Sequence, residues 1–109
     1  MLAATPAEVA QAFASRGVQV FRVAKPPKLC DVKACRRVTI TGATFVCFAP
    51  KGTVDFFVAL LPTPTDARRV EMVGRRGGLG AAARGSTLLL YLKSSTRVAR
   101  LLAALSSLS

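Results

Sequence analysis

Two long runs of apolar, β-branched and aromatic residues, separated by a short turn, constrain the fold of this chain more than any other feature. The run RVTITGATFVCFA (Arg37–Ala49) predicts a long strand, and Gly42 fits a bulge within it. The run TVDFFVALL (Thr53–Leu61) predicts the return strand, after a turn at Pro50–Gly52. We therefore expect a β-hairpin and a fold that is built on a sheet.

The residues on either side of this hairpin predict further strands and two helices. The predicted strands are Val18–Ala24, Arg68–Val73 and Ser86–Lys93, and the predicted helices are residues 1–17 and Ser95–Ser107. Thr5 fits the N-cap of the first helix, with Pro6 in its first turn and Glu8 completing a capping box. The segment GRRGGLGAAARG (residues 74–85) predicts a flexible loop that can hold a weak strand at its centre.

Strands that follow one another through short turns favour an antiparallel sheet or a small barrel over βαβ units. We expect a mainly β protein: a small open antiparallel β-barrel, OB-like, with a C-terminal α-helix and an extra N-terminal helix. The expected domains are a helical extension at 1–17 and a single β-barrel domain at 18–109, whose C-terminal helix covers 95–108.

The charge of the chain indicates its class of partner. Lys and Arg number 16 against five acidic residues, which gives a net charge of +11 in 109 residues. A charge of this size attracts polyanions. Nucleic acid is the first partner to expect and an anionic membrane surface the second. The alternative is a basic protein with no specific partner.

Catalysis and metal binding find little support in the sequence. The chain has no His, and its acidic residues are scattered singly, so no paired carboxylates or nucleophile with a base can be identified. The three cysteines (Cys30, Cys35 and Cys47) are too few for a closed zinc site and fit a reducing compartment. We predict a non-enzyme without cofactor or metal, with Cys47 buried in its strand. Cys30 and Cys35 can pair under oxidation.

No membrane span or signal peptide is predicted. The most apolar stretch, Val38–Leu61, is interrupted by Pro50, Lys51, Gly52 and Asp55, whereas a span needs about 20 apolar residues. The N-terminus has no basic region followed by an apolar block. We therefore expect no integral membrane contact.

Paired basic residues are the candidates for binding RNA phosphates. Neighbours on a strand face opposite sides, so we expect these pairs in loops and at barrel rims, where OB-type folds bind single strands. The predicted RNA-binding residues are Arg36, Arg37, Lys51, Arg68, Arg69, Arg75, Arg76, Arg84 and Lys93. The loop at 74–85 resembles a short arginine–glycine segment, although such loops are often only solvated connections. Most aromatic residues are expected in the core, with either Phe56 or Phe57 available at the surface. Binding should therefore depend on phosphate contacts and on salt.

The closing helix carries two rows of residues. Its apolar stripe is Val98, Leu101, Leu102, Leu105 and Leu108. Its small residues at a spacing of four are Ser95, Ala99, Ala103 and Ser107. Small residues let two backbones approach closely, so this row predicts the interface of a homodimer. The alternative is that Ala favours the helix and Ser favours solubility, and the pattern does not decide between the two.

Three segments together resemble the ninth non-structural protein of coronaviruses and related nidoviruses. They are TFVCFAPKGTVDFFVALL, RRVEMV and LLLYLKSSTRVARLLAALSSL, in the order in which that family has its hairpin, its next strand, and its late strand followed by a helix. The resemblance implies a small β-barrel that binds single-stranded RNA weakly and dimerises through its C-terminal helix. It also implies an accessory subunit that works beside the polymerase, at viral replication complexes in the host cytoplasm. The dimer motif would be Ala99 and Ala103, flanked by Ser95 and Ser107.

The sequence therefore predicts a non-catalytic, single-stranded RNA-binding subunit of a viral replicase that forms a homodimer. Composition and pattern supply the basic β-rich protein and its polyanion partner, and the resemblance alone supplies the replicase. The alternative is a basic adaptor that binds a protein partner or an anionic membrane surface through its N-terminal helix and its apolar strip.

Overall fold

A computed structural model describes residues 4–29 and 46–108 of the chain. Its helices and strands are, in chain order, α1 (Pro6–Ala14), β1 (Phe21–Val23), β2 (Val46–Ala49), β3 (Phe56–Leu60), α2 (Pro64–Arg76), β4 (Gly80–Arg84), β5 (Thr87–Tyr91) and α3 (Val98–Ser106). The five strands form one sheet in the order β1-β2-β3-β5-β4. Every neighbouring pair in it is antiparallel.

The sheet is open, because β1 and β4 lie at its two edges and do not pair with each other. The predicted antiparallel sheet is thus confirmed, whereas the OB-like barrel is not. The physical reason is that both faces of the sheet are apolar and covered. Phe56 and Phe57 point to opposite faces, yet they are only 0% and 3% exposed, so the prediction that one of them reaches the surface is wrong. Closing the sheet would bury only one face, whereas helices on both sides bury the two together.

Helices α1 and α3 pack on one face of the sheet. Val9 and Phe13 of α1 are completely buried, and the Phe13 ring stacks on Phe56 with 6.2 Å between the ring centroids. From α3, Leu101 and Leu105 enter the same core. The N-terminal helix is therefore packed into the core of the protein.

Helix α2 packs on the other face, against β4 and β5. Its inward residues Ala67 and Gly74 are buried. A Cβ atom at Gly74 would collide with the side chain of Leu90, so the close approach of helix and sheet needs glycine there. Gly80, the first residue of β4, lies under the ring of its cross-strand partner Tyr91. Gly74 thus lets α2 approach β5, and Gly80 leaves room for the Tyr91 ring on the opposite face of the sheet.

The predicted strand at Arg68–Val73 is wrong, because these residues belong to α2. The helix starts earlier, where Thr63 acts as N-cap, its Oγ1 accepts the backbone N–H of Asp66 at 3.1 Å, and Pro64 occupies the first turn. A run of six residues is too short to distinguish a strand from a helix, because charged and apolar side chains that alternate in this way can also be arranged on a helix. The segment at residues 74–85 is not mainly a loop: it contains the end of α2 and all of β4, which pairs with β5 along its whole length. The strand that the prediction allowed there is therefore present, whereas the flexible loop is wrong.

The N-terminal helix is confirmed with its capping box. Thr5 Oγ1 accepts the backbone N–H of Glu8, and Glu8 Oε1 accepts the backbone N–H of Thr5, both at 3.2 Å. The chain leaves this helix through Gly17, whose φ is +76°. The last helix begins at Val98 and not at the predicted Ser95, because its N-cap is Arg97 without a side-chain cap.

Three other predicted strands are present but shorter, since residues 18–24, 53–61 and 86–93 contract to β1, β3 and β5. The described part of the predicted strand at 37–49 is β2 in full. The remaining predictions concern residues outside the described ranges: the strand at 37–45 with Gly42, the thiols of Cys30 and Cys35, and the RNA-binding residues Arg36 and Arg37.

Candidate nucleic-acid interface

The outward side of α2 is a surface of arginines. Arg68, Arg69, Arg75 and Arg76 are exposed on it, and Met72, which is 52% exposed, lies between them. At 3.6 residues per turn these five positions fall within an arc of about 120°, opposite the buried Ala67 and Gly74. We call these five residues the α2 arginine face. Four of the nine predicted RNA-binding residues are thus brought onto one side of one helix.

Little negative charge opposes these arginines. Glu71 Oε2 lies 3.4 Å from Arg75 Nη2. Arg75 also donates from Nε and Nη2 to the carbonyl oxygen of Ala81, at 3.2 and 3.0 Å, and so ties the end of α2 to β4. Within residues 4–29 and 46–108, Arg68, Arg69 and Arg76 form no salt bridge. Their guanidinium groups are therefore available to an anion from outside the molecule.

A structural role alone explains part of this pattern. Arg75 and Arg76 lie in the last turn of α2, where positive charge stabilises the helix dipole. Arg68 and Arg69 lie in its second turn, outside the last turn where the dipole favours positive charge. The helix dipole therefore does not explain the placement of these two.

The other three predicted RNA-binding residues that the structure describes are divided between the two ends of the sheet. Lys51 precedes β3 and Lys93 follows β5, so both lie at the end where Phe56, Tyr91 and Gly80 are paired, which is also where α2 ends. Arg84 lies at the opposite end, and its Nε donates to the carbonyl oxygen of Leu108 at 2.6 Å. Arg84 thus holds the last turn of the chain, and the predicted set does not form one continuous surface.

One polar cluster was not predicted from the sequence: it consists of Asp55, Ser95 and Arg97. Arg97 contacts both carboxylate oxygens of Asp55, with Nε 3.2 Å from Oδ2, and its guanidinium lies 5.0 Å from the Phe56 ring centroid. Ser95 Oγ donates to Asp55 Oδ2 at 2.6 Å and accepts the backbone N–H of Arg97 at 3.1 Å. The cluster fixes the turn that leads into α3. No sequence pattern indicated this pairing, because its two charged residues are 42 positions apart.

Replacing Asp55 with Asn should destabilise the protein, and the loss should depend on pH. Partial burial by itself would raise the pKa of Asp55, but the hydrogen bonds from Arg97 and Ser95 and the charge of Arg97 hold this pKa below its ordinary 3.8. The stabilisation is therefore complete above the unfolded-state pKa and is lost as pH falls through the lower, folded-state pKa. We expect Asp55→Asn to cost about 1–3 kcal/mol at neutral pH.

Urea denaturation of wild type and variant across acidic and neutral pH tests this prediction, since the two stabilities should converge in acid. Asp66→Asn is the control, because Asp66 accepts a hydrogen bond from Thr63 and has no arginine partner among the described residues. A difference between wild type and Asp55→Asn that stays constant down to the most acidic pH would contradict the role given to the carboxylate.

Only part of the row of small residues predicted as the dimer interface lies accessible along α3. Ser95 precedes α3 and is held by Asp55, so it does not continue the row of the helix. Ala99 is exposed and Ala103 is half-buried. Ser107 is the C-cap, exposed, and donates from Oγ to the carbonyl oxygen of Ala104 at 2.6 Å. The homodimer stays a prediction that rests on Ala99 and Ala103. The apolar stripe of this helix is confirmed, with Leu101, Leu105 and Leu108 buried.

A metal site, a reactive thiol and a membrane-spanning helix are all absent from the part of the chain that the structure describes. No three His, Cys, Asp or Glu side chains in it are grouped to hold a metal ion. Cys47 is buried as predicted, and its burial raises the pKa of the thiol to about 12, so this thiol is protonated at neutral pH. None of the described helices has the length and the apolar composition needed to cross a membrane.

The fold and the site define a three-layer protein, with helices on both faces of an antiparallel sheet and an arginine-rich helix on its surface. Comparisons with protein-family models, curated proteins and solved structures found no match to the chain. The resemblance to the coronavirus replicase protein therefore stays a prediction.

Proposed function

We propose that this protein binds single-stranded RNA without catalysis, through the α2 arginine face. The observation that supports this most directly is the exposure of four arginines on one side of a helix, three of which form no salt bridge within the described ranges. A guanidinium group presents paired N–H donors that match two phosphate oxygens, and it keeps its charge at every physiological pH. A row of such groups follows a phosphate backbone without reading its sequence.

A single strand is the favoured form because of one exposed aromatic ring. Phe21, on the edge strand β1, is 40% exposed. Unstacked bases can stack on such a ring, whereas the bases inside a duplex cannot reach it. Every other phenylalanine in the described ranges is buried, so stacking contributes little and phosphate contacts dominate. The expected binding is weak, tolerant of sequence and strongly dependent on salt.

The adaptor alternative needs an apolar surface on the N-terminal helix. Val9 and Phe13, which would supply it, are completely buried in the core. This observation favours RNA over a protein or membrane partner of that helix. The accessory role in a viral replicase, the homodimer and the location at replication complexes depend on the sequence resemblance and on the small-residue row, and they remain predictions.

Fluorescence anisotropy with a labelled single-stranded RNA tests the proposal. We expect micromolar affinity at physiological salt and a linear fall of the logarithm of the association constant with the logarithm of salt concentration. Unlabelled duplex RNA and heparin serve as competitors, and the single strand should compete best at equal phosphate concentration. Absence of binding, or equal competition by heparin, would contradict the proposal.

A further inference from the structure

A pocket of about 590 Å³ opens at the end of the sheet where β1 begins and β2 ends. Residues 14–21, on the way from α1 to β1, form one wall, and the β2–β3 turn and the residue before α3 form the rest. The described lining residues are Ala14, Gly17, Gln19, Phe21, Pro50, Lys51 and Arg97. They include two cations, one exposed aromatic ring and no acidic residue. The volume lies in the range of pockets that bind small organic ligands.

Phe21 supplies a flat apolar surface in this pocket. Its ring is 40% exposed although it is a large hydrophobic side chain, and its chain neighbour Arg22 points to the other face of the sheet. Lys51 Nζ lies 5.1 Å from the centroid of the ring. Stacking of a planar base on an aromatic ring is stronger than an exposed contact between lysine and the ring. A base that enters the pocket can therefore take the ring face and leave Lys51 free to bind an anion.

Arg97 supplies a second, fixed group. Its guanidinium is held by Asp55 and lies over Phe56, and its side chain is 32% exposed. Asp55 is contacted by Nε and Nη2, so Nη1 and one remaining N–H of Nη2 are free of that carboxylate. Because Asp55 neutralises this arginine, Arg97 acts mainly as a hydrogen-bond donor and Lys51 carries the net charge. The amide of Gln19 adds a donor and an acceptor for the polar edge of a base.

We propose that this pocket binds one nucleoside monophosphate unit, with its base on Phe21 and its phosphate on Lys51 and Arg97. The unit can be a free nucleotide or a single nucleotide of an RNA strand, since both present the same base and phosphate. The proposal does not depend on the α2 arginine face, because α2 packs on β4 and β5, whereas the pocket lies beside β1 at the other edge of the sheet.

Titration of the full chain with AMP, followed by amide chemical shifts, tests the site. Shifts should concentrate at residues 17–21, 50–51 and 97. Adenosine, which lacks the phosphate, and ribose 5-phosphate, which lacks the base, should each bind about tenfold more weakly or worse. Equal binding of AMP and ribose 5-phosphate would overturn the stacking role of Phe21, and shifts spread over the α2 arginine face alone would overturn the site.

Three variants separate this site from general charge attraction. Phe21→Leu removes the ring and keeps an apolar side chain, and Lys51→Gln removes the cation; each should lower AMP affinity about tenfold. Phe21→Tyr should restore it. Lys25→Gln removes an exposed lysine outside the pocket lining and is the matched control, expected to bind AMP like wild type. Loss of affinity in Lys25→Gln equal to that in Lys51→Gln would overturn the proposal.

Competition distinguishes the two sources of the nucleotide. If the pocket takes a nucleotide of an RNA strand, a short single strand should displace AMP, and Phe21→Leu should weaken RNA binding as well. If it takes free nucleotide, the strand should leave AMP bound. RNA binding without any AMP binding would refute the nucleotide pocket and leave RNA binding by the α2 arginine face intact. AMP binding without RNA binding would support the pocket and refute RNA binding by the α2 arginine face.

Discussion

Replacing Arg68, Arg69 and Arg76 together with Gln is expected to lower the affinity for single-stranded RNA by roughly one to two orders of magnitude at moderate salt. These three arginines are exposed on α2 and make no salt bridge within the described residues, so their removal breaks no ion pair there. Each phosphate contact to a single strand contributes about 0.7 to the slope of the logarithm of affinity against the logarithm of salt. The triple variant should therefore flatten that slope by about two.

The control variant has to distinguish the loss of the α2 arginine face from an equal loss of net charge. Arg16, Lys25 and Arg100 are also exposed but lie outside α2. Replacing these three with Gln removes the same charge and should change the slope much less, because only long-range attraction is lost. Anisotropy titrations of both triple variants over a salt series, with circular dichroism to confirm folding, decide the matter. Equal losses in the two would mean that RNA is held by the total charge and not by the α2 arginine face.

Replacing Phe13 with Ala is expected to cost about 3–5 kcal/mol of the free energy of unfolding. Phe13 is completely buried, stacks on Phe56, and joins α1 to the sheet. Its removal leaves a cavity that its neighbours cannot fill, since aromatic and leucine side chains surround it. A domain of this size has only about 5–15 kcal/mol of stability, so this single change approaches the limit of folding.

Phe21→Ala is the matched control for this prediction, because it removes the same side chain from an exposed position. It should cost about 1 kcal/mol at most. Guanidinium denaturation followed by far-ultraviolet circular dichroism measures both. If Phe13→Ala does not fold, Phe13→Leu keeps most of the buried volume and should give a smaller loss that can still be measured. Equal stability of Phe13→Ala and Phe21→Ala would show that α1 is not part of the core.

Local rules predicted the parts of the fold that depend on neighbouring residues. The capping box of Thr5 and Glu8 is a four-residue pattern, and it places the start of α1 correctly. The hairpin strands are recognisable because β-branched and aromatic residues follow one another, although the second strand is longer in prediction than in the structure. The leucine stripe at the end of the chain likewise gives the buried side of α3.

Helix α2 was missed because six residues are too few to distinguish a period of two from one of 3.6. Thr63 and Pro64 mark the start of this helix, but the sequence pattern assigned them to a loop. The glycines were assigned to a flexible segment. In the structure Gly74 and Gly80 are sites of close packing, which no rule about single residues reveals. The open sheet follows from the same contacts, since α2 covers the face that a barrel would turn inward.

The error about α2 also changed the predicted site. Adjacent arginines on a strand point to opposite faces, so Arg68 and Arg69 were expected at a rim. On a helix they are about 100° apart and can both face solvent. The exposure of Phe21 could not be predicted either, because it depends on β1 being a three-residue edge strand with an open pocket beside it.

The packing of Tyr91 over Gly80 gives the protein an intrinsic optical reporter. Tyr91 is the only tyrosine, and the chain has no tryptophan, so all fluorescence excited in the tyrosine band comes from this one ring. The ring covers the first residue of β4, immediately after α2. Its emission therefore follows separation of β4 from β5, while far-ultraviolet circular dichroism follows the whole chain. Comparing the two signals during unfolding shows whether the β4 edge of the sheet opens before the rest of the chain unfolds, without any added label.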